Sequence, residues 1–233
     1  KDQEVRATPG TFRVVSGTDD LNNLNFLFGD TAAGLVGHWK LDETSGTSAA
    51  DSAGTNTGTL TGGVTISTVT APTAFTNARS LSFDGVDDYV TKASPSGLPL
   101  GAMARTIAGW IKMSNTDPGG VIAHYGQGNN TGSQQGFILQ LQTISASTYL
   151  FTDGINGNNN ITISGSQIPT AGVWHHIAFT FDGASAWQYY LDGTLAKNGT
   201  FATAINTIAG DLQIGRRADY SPHRGRSRPS RRS

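Results

Sequence analysis

The chain of 233 residues contains no cysteine, which excludes disulfide bonds, thiolate catalysis and zinc–thiolate centres. Glutamate is almost absent as well, with only Glu4 and Glu43, so aspartate supplies nearly all side-chain carboxylates. Charged residues make up 14% of the chain, and no apolar run approaches the ~20 residues of a membrane-spanning helix. The sequence is therefore poor in the groups from which thiol-based and glutamate-based catalytic sites are built.

Glycine is abundant, with 30 residues, and serine, threonine and asparagine dominate the polar part. Apolar residues reach 36%, which is enough for a sizeable core. Charge is unevenly distributed: residues 1–215 hold nine basic and sixteen acidic groups, whereas residues 216–233 hold seven arginines and one aspartate. This composition predicts a turn-rich β domain, of a kind that suits exported bacterial proteins, with a basic tail.

Residues 172–193 give the clearest structural signal. Along 174–181 the side chains alternate between two faces, with His176, Ala178 and Thr180 on one and His175, Ile177, Phe179 and Phe181 on the other. Two successive strands each end in Asp-Gly, the strongest short-range signal for a tight turn. The segment predicts an antiparallel pair of strands. Because neighbouring strand residues face opposite sides, the two histidines cannot chelate one metal ion.

Short apolar runs separated by glycine-, asparagine- and aspartate-rich turns recur through the middle of the chain and predict a β-sandwich. The stretch 42–58 is interpreted as a long polar loop within it. Residues 1–33 lack this pattern of apolar runs and turns. They are interpreted as an N-terminal extension or linker that contributes a strand at most. Two prolines and five arginines in the last twelve residues predict a disordered tail. The predicted organisation is 1–33, a domain at 34–217, and a tail at 218–233.

Several motifs occur in the order and at the spacing of one family: Gly37–Gly46 with Asp51–Gly54, Ser82–Val90, Thr106–Ile111, and Trp174–Gly193 with Leu212–Gly215. Together they resemble a laminin-G-like domain of the concanavalin A-like lectin/glucanase superfamily in its bacterial form. The resemblance implies an all-β fold, a two-sheet antiparallel jelly-roll sandwich. It also implies a secreted protein, extracellular or at the cell surface, because this family is mostly a binding or adhesive module.

Members of the family usually end with a further strand beside the first one, and this chain departs from that pattern after Arg217. The resemblance therefore implies that Leu35–Leu41 loses its usual neighbour, which would leave an unpaired sheet edge. We expect Thr11–Val15 or Leu24–Phe28 to fill the gap. The alternative is that a second copy of the chain fills it in a strand-exchanged homodimer.

Two enzyme classes share the jelly-roll fold. Its glucanases carry Glu-x-Asp-x-x-Glu on one strand, and retaining glycosidases need two carboxylates about 5–5.5 Å apart. With two glutamates in the whole chain, that motif cannot be built. Jelly-roll polysaccharide lyases use a tyrosine or histidine base. His124 and Tyr125, with Gln140 and Gln142 on a later strand, are therefore the weak alternative for a catalytic site.

Calcium is the metal that suits this chain, because it takes six to eight oxygen ligands, many of them from loops. The resemblance implies one structural calcium near the first and final strands. It makes Asp42 and Asp51 the predicted ligands, with Asp84 as a turn-forming residue that also serves. The alternative is that Asp42 and Asp51 accept hydrogen bonds from nearby backbone amides and cap turns.

Carbohydrate sites stack flat aromatic rings against sugar rings. Trp187, Tyr190 and Tyr125 are the predicted carbohydrate-binding residues, provided that their rings face outward rather than into the core. The predicted function is non-catalytic recognition of a carbohydrate or an extracellular protein partner. The alternatives are a polysaccharide hydrolase or lyase with an atypical site, and a structural spacer domain. The arginine-rich tail carries charge but no motif for specific nucleic-acid binding.

Overall fold

The computed structural model describes most of the chain as β-strands. The described residues are 26–30, 34–73, 78–114, 120–127, 135–144, 147–153 and 160–216. Within these ranges the chain forms sixteen strands and one short 3₁₀ helix, Gly165–Gln167, and no α-helix. The all-β fold class is therefore confirmed. The predicted run Thr11–Val15 and the tail 218–233 lie outside the described residues.

The strands are numbered in chain order. They are β1 Phe26–Asp30, β2 Gly34–Trp39, β3 Ser48–Ala49, β4 Gly58–Thr61, β5 Thr65–Ser67, β6 Ser80–Ser82, β7 Tyr89–Lys92, β8 Arg105–Lys112, β9 Val121–Gln127, β10 Gln135–Ile144, β11 Ser147–Asp153, β12 Ile161–Ile163, β13 Trp174–Phe181, β14 Ala186–Leu191, β15 Thr194–Thr200 and β16 Leu212–Ile214. One antiparallel sheet has the order β15-β14-β13-β8-β1-β2, a second has the order β12-β11-β10-β9-β16-β7-β4-β3, and β5 pairs with β6.

The core lies between the six-stranded and the eight-stranded sheet. Phe179 on β13 and Phe137 on β10 meet across it, with ring centroids 6.1 Å apart. Both sheets contribute alternate residues to one buried cluster, including Ile107, Ile177, Phe181 and Tyr189 from the first and Val90, Ala123, Leu139, Leu141, Leu212 and Ile214 from the second. The predicted two-sheet antiparallel sandwich is confirmed.

The hairpin between β14 and β15 shows how local sequence determines the fold. Asp192 and Gly193 both have positive φ, at 52° and 76°, as the two central residues of a type I′ turn require. The backbone twist of this turn matches that of the paired strands. The Asp-Gly signal at 192–193 therefore fixes the register of Leu191 opposite Thr194.

The strand β1 pairs with β2 on one side and with β8 on the other. It overlaps the sequence run Leu24–Phe28, of which the structure describes the residues from Phe26 onward. An N-terminal strand thus pairs with the first strand of the predicted domain, and β2 is the outermost strand of its sheet in the described structure.

Three strands were missed in the sequence. Ser48–Ala49 lies inside the stretch interpreted as a long loop, and Gly58–Thr61 begins at its end. Thr194–Thr200 lacks apolar alternation and is the outermost strand of its sheet. An edge strand needs a partner on one side only and tolerates polar residues such as Lys197, which is why the hydrophobic pattern did not reveal it.

Candidate functional site

The face of the eight-stranded sheet that points away from the core carries polar side chains. On β9, β10 and β16, core residues alternate with outward-facing residues, because neighbouring residues of a strand point to opposite faces. The polar residues share this face with the apolar Ile138, which is paired with His124. The same alternation on β7 adds a threonine next to the buried Val90. We call this set the glutamine face; its members are Thr91, His124, Gln140, Gln142 and Gln213.

Three members of the glutamine face, together with Thr59 on β4, form one row across four strands. His124 is paired with Gln213, and Gln213 is paired in turn with Thr91. Thr91 is paired with Thr59 on β4. Since neighbouring strands lie about 4.8 Å apart, the row is about 14 Å long. Residues more than a hundred positions apart in the sequence therefore line one straight polar strip.

The middle of this row is buried and incompletely hydrogen-bonded. His124 is 3% exposed and Gln213 is 8% exposed. Among the described residues, the Oε1 atom of Gln213 has no hydrogen-bond partner. A Cβ atom on Gly136 would lie 2.5 Å from His124 Nε2, so the glycine is what allows the imidazole to lie over β10. A buried acceptor without a donor costs about 1–3 kcal/mol.

The chemistry of the glutamine face is that of hydrogen-bonding recognition. Amide, hydroxyl and imidazole groups supply both donors and acceptors, and the side chains of Gln140 and Gln142 approach to 3.5 Å between Nε2 and Oε1. None of its five members carries a carboxylate. The face can bind hydroxyl groups, but it does not hold the two acids that glycoside hydrolysis requires.

A second surface lies on the outer face of the six-stranded sheet. Trp110 on β8 is paired with His176 on β13, and their rings meet edge to face with centroids 5.4 Å apart. Trp174 lies two residues before His176 and so shares its face. We call these three residues the tryptophan patch. All three are half-buried, and the Nε1 atom of Trp174 has no hydrogen-bond partner among the described residues.

The two adjacent histidines lie on opposite sides of β13, as alternation requires. His175 Nδ1 is 2.8 Å from Asp192 Oδ2, while its Nε2 accepts a hydrogen bond from the amide of Thr170 at 2.9 Å. His175 therefore ties β13 to Asp192 and Thr170, which is a structural role. His176 belongs to the tryptophan patch, where burial lowers its pKa and the charge of Asp192 partly opposes that effect.

Trp187 was predicted to bind carbohydrate provided that its ring faces outward, and the structure does not meet that condition. Trp187 is 7% exposed and stacks on Phe179, with ring centroids 6.1 Å apart and an interplanar angle of 21°. The absence of a side chain at Gly199 provides the room, because a Cβ atom there would lie 2.7 Å from the indole. Trp187 is paired with Phe181, and paired residues share a face, so both point into the core.

Tyr190 does not offer an open ring either. It lies on the opposite face of β14 from Trp187, where it packs in a small buried cluster with Ala108 and Ala178. Its hydroxyl donates to Gln188 Oε1 at 3.0 Å. The ring is buried, which corrects the expectation of an exposed stacking surface at this position.

Tyr125 points into the core and away from His124, which corrects both roles predicted for it. Its hydroxyl accepts a hydrogen bond from Arg105 Nη1 at 2.9 Å and donates to Pro99 O at 2.9 Å. Burial raises the pKa of Tyr125 to about 12, with the Arg105 charge opposing the shift. Since the imidazole of His124 lies on the other face of β9, the two side chains cannot act on one substrate bond.

The two acids predicted near the first strand are not brought into a three-acid cluster among the described residues. Asp51 is buried, and its oxygens accept the amides of His38 at 2.8 Å, Ala53 at 3.1 Å and Asn56 at 3.0 Å. This is the turn-capping role given above as the alternative to metal binding. The calcium at Asp42 and Asp51 stays a prediction.

The described residues do contain one three-acid cluster, in the turn between β6 and β7. One carboxylate oxygen each from Asp84, Asp87 and Asp88 lies within 4.8 Å of the others. Asp84 was among the metal ligands predicted from the sequence, whereas Asp87 and Asp88 were not.

The sequence pointed to His124, Gln140 and Gln142 but grouped them with Tyr125, which lies on the other face. It did not point to Gln213 or Thr91. Alternation around the buried residues of β16 and β7 is the signal that identifies both. The same parity identifies the tryptophan patch, because Trp110 alternates with the buried Ile107 and the inward-packed Ile111 on β8.

Comparisons with known proteins agree with this architecture. The Laminin_G_3 family, described as the concanavalin A-like lectin/glucanases superfamily, matches residues 83–226, more than half of the chain. The chain is 36% identical over 81 residues to sushi, von Willebrand factor type A, EGF and pentraxin domain-containing protein 1 of Rattus norvegicus; the match covers 31% of this chain. The chain spans about 2% of the length of that curated relative.

Among solved structures, the fold is similar to Domain 4 of AbnA, a GH43 extracellular arabinanase from Geobacillus stearothermophilus, in complex with arabinotriose. The TM-score is 0.50 at 19% identity, covering 70% of this chain and 76% of that one. The botulinum neurotoxin serotype D binding domain gives a TM-score of 0.43 at 14% identity, covering 83% of this chain and 43% of that one. No helix among the described residues is long and apolar enough to cross a membrane.

Proposed function

The chain belongs to the Laminin_G_3 family of the concanavalin A-like lectin/glucanases superfamily, and we propose that it is a non-catalytic module that recognises carbohydrate through the glutamine face. The observation that carries the proposal is the row His124–Gln213–Thr91, whose central acceptor, Gln213 Oε1, lacks a hydrogen-bond donor in the described structure. That oxygen is buried, so a sugar reaches the face first at the half-buried Thr91, Gln140 and Gln142, whose groups both donate and accept.

The composition of the face supports binding rather than cleavage. Amide and hydroxyl side chains hydrogen-bond the donors and acceptors of a sugar, and each such bond contributes about 0.5–1.5 kcal/mol net. The face lacks a carboxylate pair, and Tyr125 is turned away from it, so neither the hydrolase nor the lyase alternative has its reacting groups there.

The likeness to Domain 4 of AbnA guides the choice of probe. Its solved complex contains arabinotriose, and we take that trisaccharide as one ligand to test, beside neutral oligosaccharides of other linkages.

The extracellular or cell-surface location expected from the sequence is part of the proposal. An extracellular protein is the other partner class, and a glycoprotein would be recognised through its glycan.

The test is a glycan array followed by titration calorimetry with Gln213→Leu. This substitution removes both hydrogen-bonding groups at similar volume, so we expect a loss of affinity of about tenfold, equivalent to roughly 1.4 kcal/mol. Gln188→Leu is the matched control, because Gln188 is a half-buried glutamine on the outer face of the other sheet. The control should bind like the parent chain.

Three outcomes contradict the proposal. Binding that survives Gln213→Leu but is lost in Trp110→Ala would place recognition on the tryptophan patch. Release of products from polysaccharides, lost in His124→Ala, would make the chain an enzyme. Absence of binding to every glycan tested would leave the spacer interpretation.

A further inference from the structure

The turn between β6 and β7 holds a carboxylate cluster that the recognition function does not use. We infer that Asp84, Asp87 and Asp88 bind a hard divalent cation such as Ca²⁺. The inference rests on the geometry and hydrogen bonding of this turn and is independent of the proposed carbohydrate function.

The three carboxylates are close enough to share one ion. One oxygen of each lies within 4.8 Å of the others. Calcium binds oxygen at 2.3–2.6 Å, so oxygens up to about 4.6–5.2 Å apart can contact the same ion. The ligands are all oxygen, with neither nitrogen nor sulfur, a combination that favours calcium, magnesium or manganese over zinc.

Asp88 supplies an independent observation. It is 8% exposed, its Oδ2 accepts the amide of Asp84 at 2.9 Å, and its Oδ1 has no hydrogen-bond partner among the described residues. The first bond holds the carboxylate against the Asp84 turn and so keeps the unpaired Oδ1 next to it. A buried ionised oxygen is unfavourable unless it is paired or coordinates a metal.

The charges of the cluster are also uncompensated. None of the three carboxylates forms an ion pair within the described part of the chain. Asp84 uses Oδ1 to accept the amide of Val86 at 2.8 Å, which leaves its Oδ2 available. A divalent cation would relieve the repulsion between like charges and satisfy Asp88 Oδ1 at the same time.

Two glycines of the neighbouring loop lie against the cluster. Gly63 faces Asp88 Oδ1, and a Cβ atom on it would lie 3.4 Å from that oxygen. Gly62 packs against the backbone of Asp87, where a Cβ atom would lie 2.2 Å from the carbonyl oxygen. The two glycines bring backbone close to the cluster without placing a side chain over it.

Asp51 differs from Asp88 in the hydrogen bonding of its carboxylate oxygens. Both of its oxygens accept backbone amides, whereas Asp88 keeps one oxygen free of any hydrogen bond in the described structure. The unpaired buried oxygen favours the β6–β7 turn over the region of the first strand as the cation site. Of the three metal ligands predicted from the sequence, this assignment keeps Asp84 alone.

The test uses the purified full chain after treatment with a chelator and dialysis. Calcium chloride is titrated by calorimetry, and we expect a dissociation constant of about 10⁻⁴–10⁻³ M, as in extracellular calcium modules. At a hundredfold excess over that constant, the thermal midpoint should rise by about 5–10 °C.

Asp87→Asn is the decisive variant, because Asp87 is exposed and its side chain makes no hydrogen bond in the described structure. It should fold normally and lose at least tenfold in calcium affinity. Asp42→Asn is the matched control and should keep the affinity of the parent chain. Loss of binding in Asp42→Asn with retention in Asp87→Asn, or no response to 10 mM calcium at about tenfold above the weakest expected constant, overturns the inference.

Discussion

Replacement of Tyr125 by phenylalanine tests the most unusual feature of the core. Arg105 is 2% exposed, and its described contacts include no carboxylate. Its guanidinium donates instead to neutral oxygens: Tyr125 Oη at 2.9 Å, Thr207 Oγ1 at 2.8 Å, Gly101 O at 2.7 Å and Met103 O at 2.9 Å. Burial lowers the pKa of Arg105, with Tyr125 opposing the shift. The cation is held by neutral hydrogen bonds and by the ring of Phe137, 4.9 Å away.

The expected loss in the free energy of unfolding follows from the two hydrogen bonds that Tyr125→Phe removes. The bond from the charged Arg105 is worth about 1.5–3 kcal/mol, and the bond from the Tyr125 hydroxyl to Pro99 O is worth about 0.5–1.5 kcal/mol. Tyr125→Phe should therefore lower the free energy of unfolding by about 2–4 kcal/mol. For a domain of this size, the thermal midpoint should fall by roughly 4–16 °C.

Denaturant unfolding measures this loss, and Tyr189→Phe is the matched control. Within the described structure the Tyr189 hydroxyl donates one hydrogen bond, to Gln167 O at 3.2 Å, so its removal should cost about 0.5–1.5 kcal/mol. Carbohydrate affinity at 25 °C should be unchanged in Tyr125→Phe, because the hydroxyl faces the core. Equal stability losses in the two variants would refute the Arg105 argument, and weaker glycan binding by a stable Tyr125→Phe would place the ring on the surface.

Two further predictions concern Trp187 and His176. Trp187→Ala should lower the free energy of unfolding by about 3–5 kcal/mol in denaturant titrations, the usual cost of a large cavity in a core, while an effect below 1 kcal/mol would mean an exposed ring. His176 has a lowered pKa, so the unfolded chain takes up the proton first as pH falls below about 6.5. Stability should therefore decrease with falling pH, and His176→Gln should flatten the thermal midpoint between pH 7 and pH 5; equal slopes would contradict this.

The sequence predicted the strands with strong alternation and missed the register between them. Alternation placed Phe179 and Phe181 on one face of β13 without identifying that face as buried, and it left open whether Trp187 faces outward. The loop between them is a four-residue turn in which Asp182 Oδ1 accepts the amides of Ala184, Ser185 and Ala186. It is not the two-residue Asp-Gly turn that the sequence suggested, and without the turn length the pairing of Trp187 with Phe181 cannot be derived.

Alternation places His175 and His176 on opposite faces of β13, which excludes them as a metal pair. The same alternation places His124 and Tyr125 on opposite faces of β9, which excludes the predicted catalytic pair as well. Alternation predicts side-chain direction reliably in β9 and β13, because both strands have neighbours on each side and each of their residues points to one face of the sheet.

The glutamine face could not be derived from local patterns, because its central strand comes from the end of the described chain. Leu212–Ile214 inserts between β9 and β7, and so places Gln213 between His124 and Thr91. A strand of three residues has little propensity of its own and is stabilised by partners on both sides. The row that we assign to recognition therefore exists only after long-range pairing is complete. A substitution that displaces β16, such as Gln213→Pro, should abolish binding together with folding, whereas Gln213→Leu separates the two.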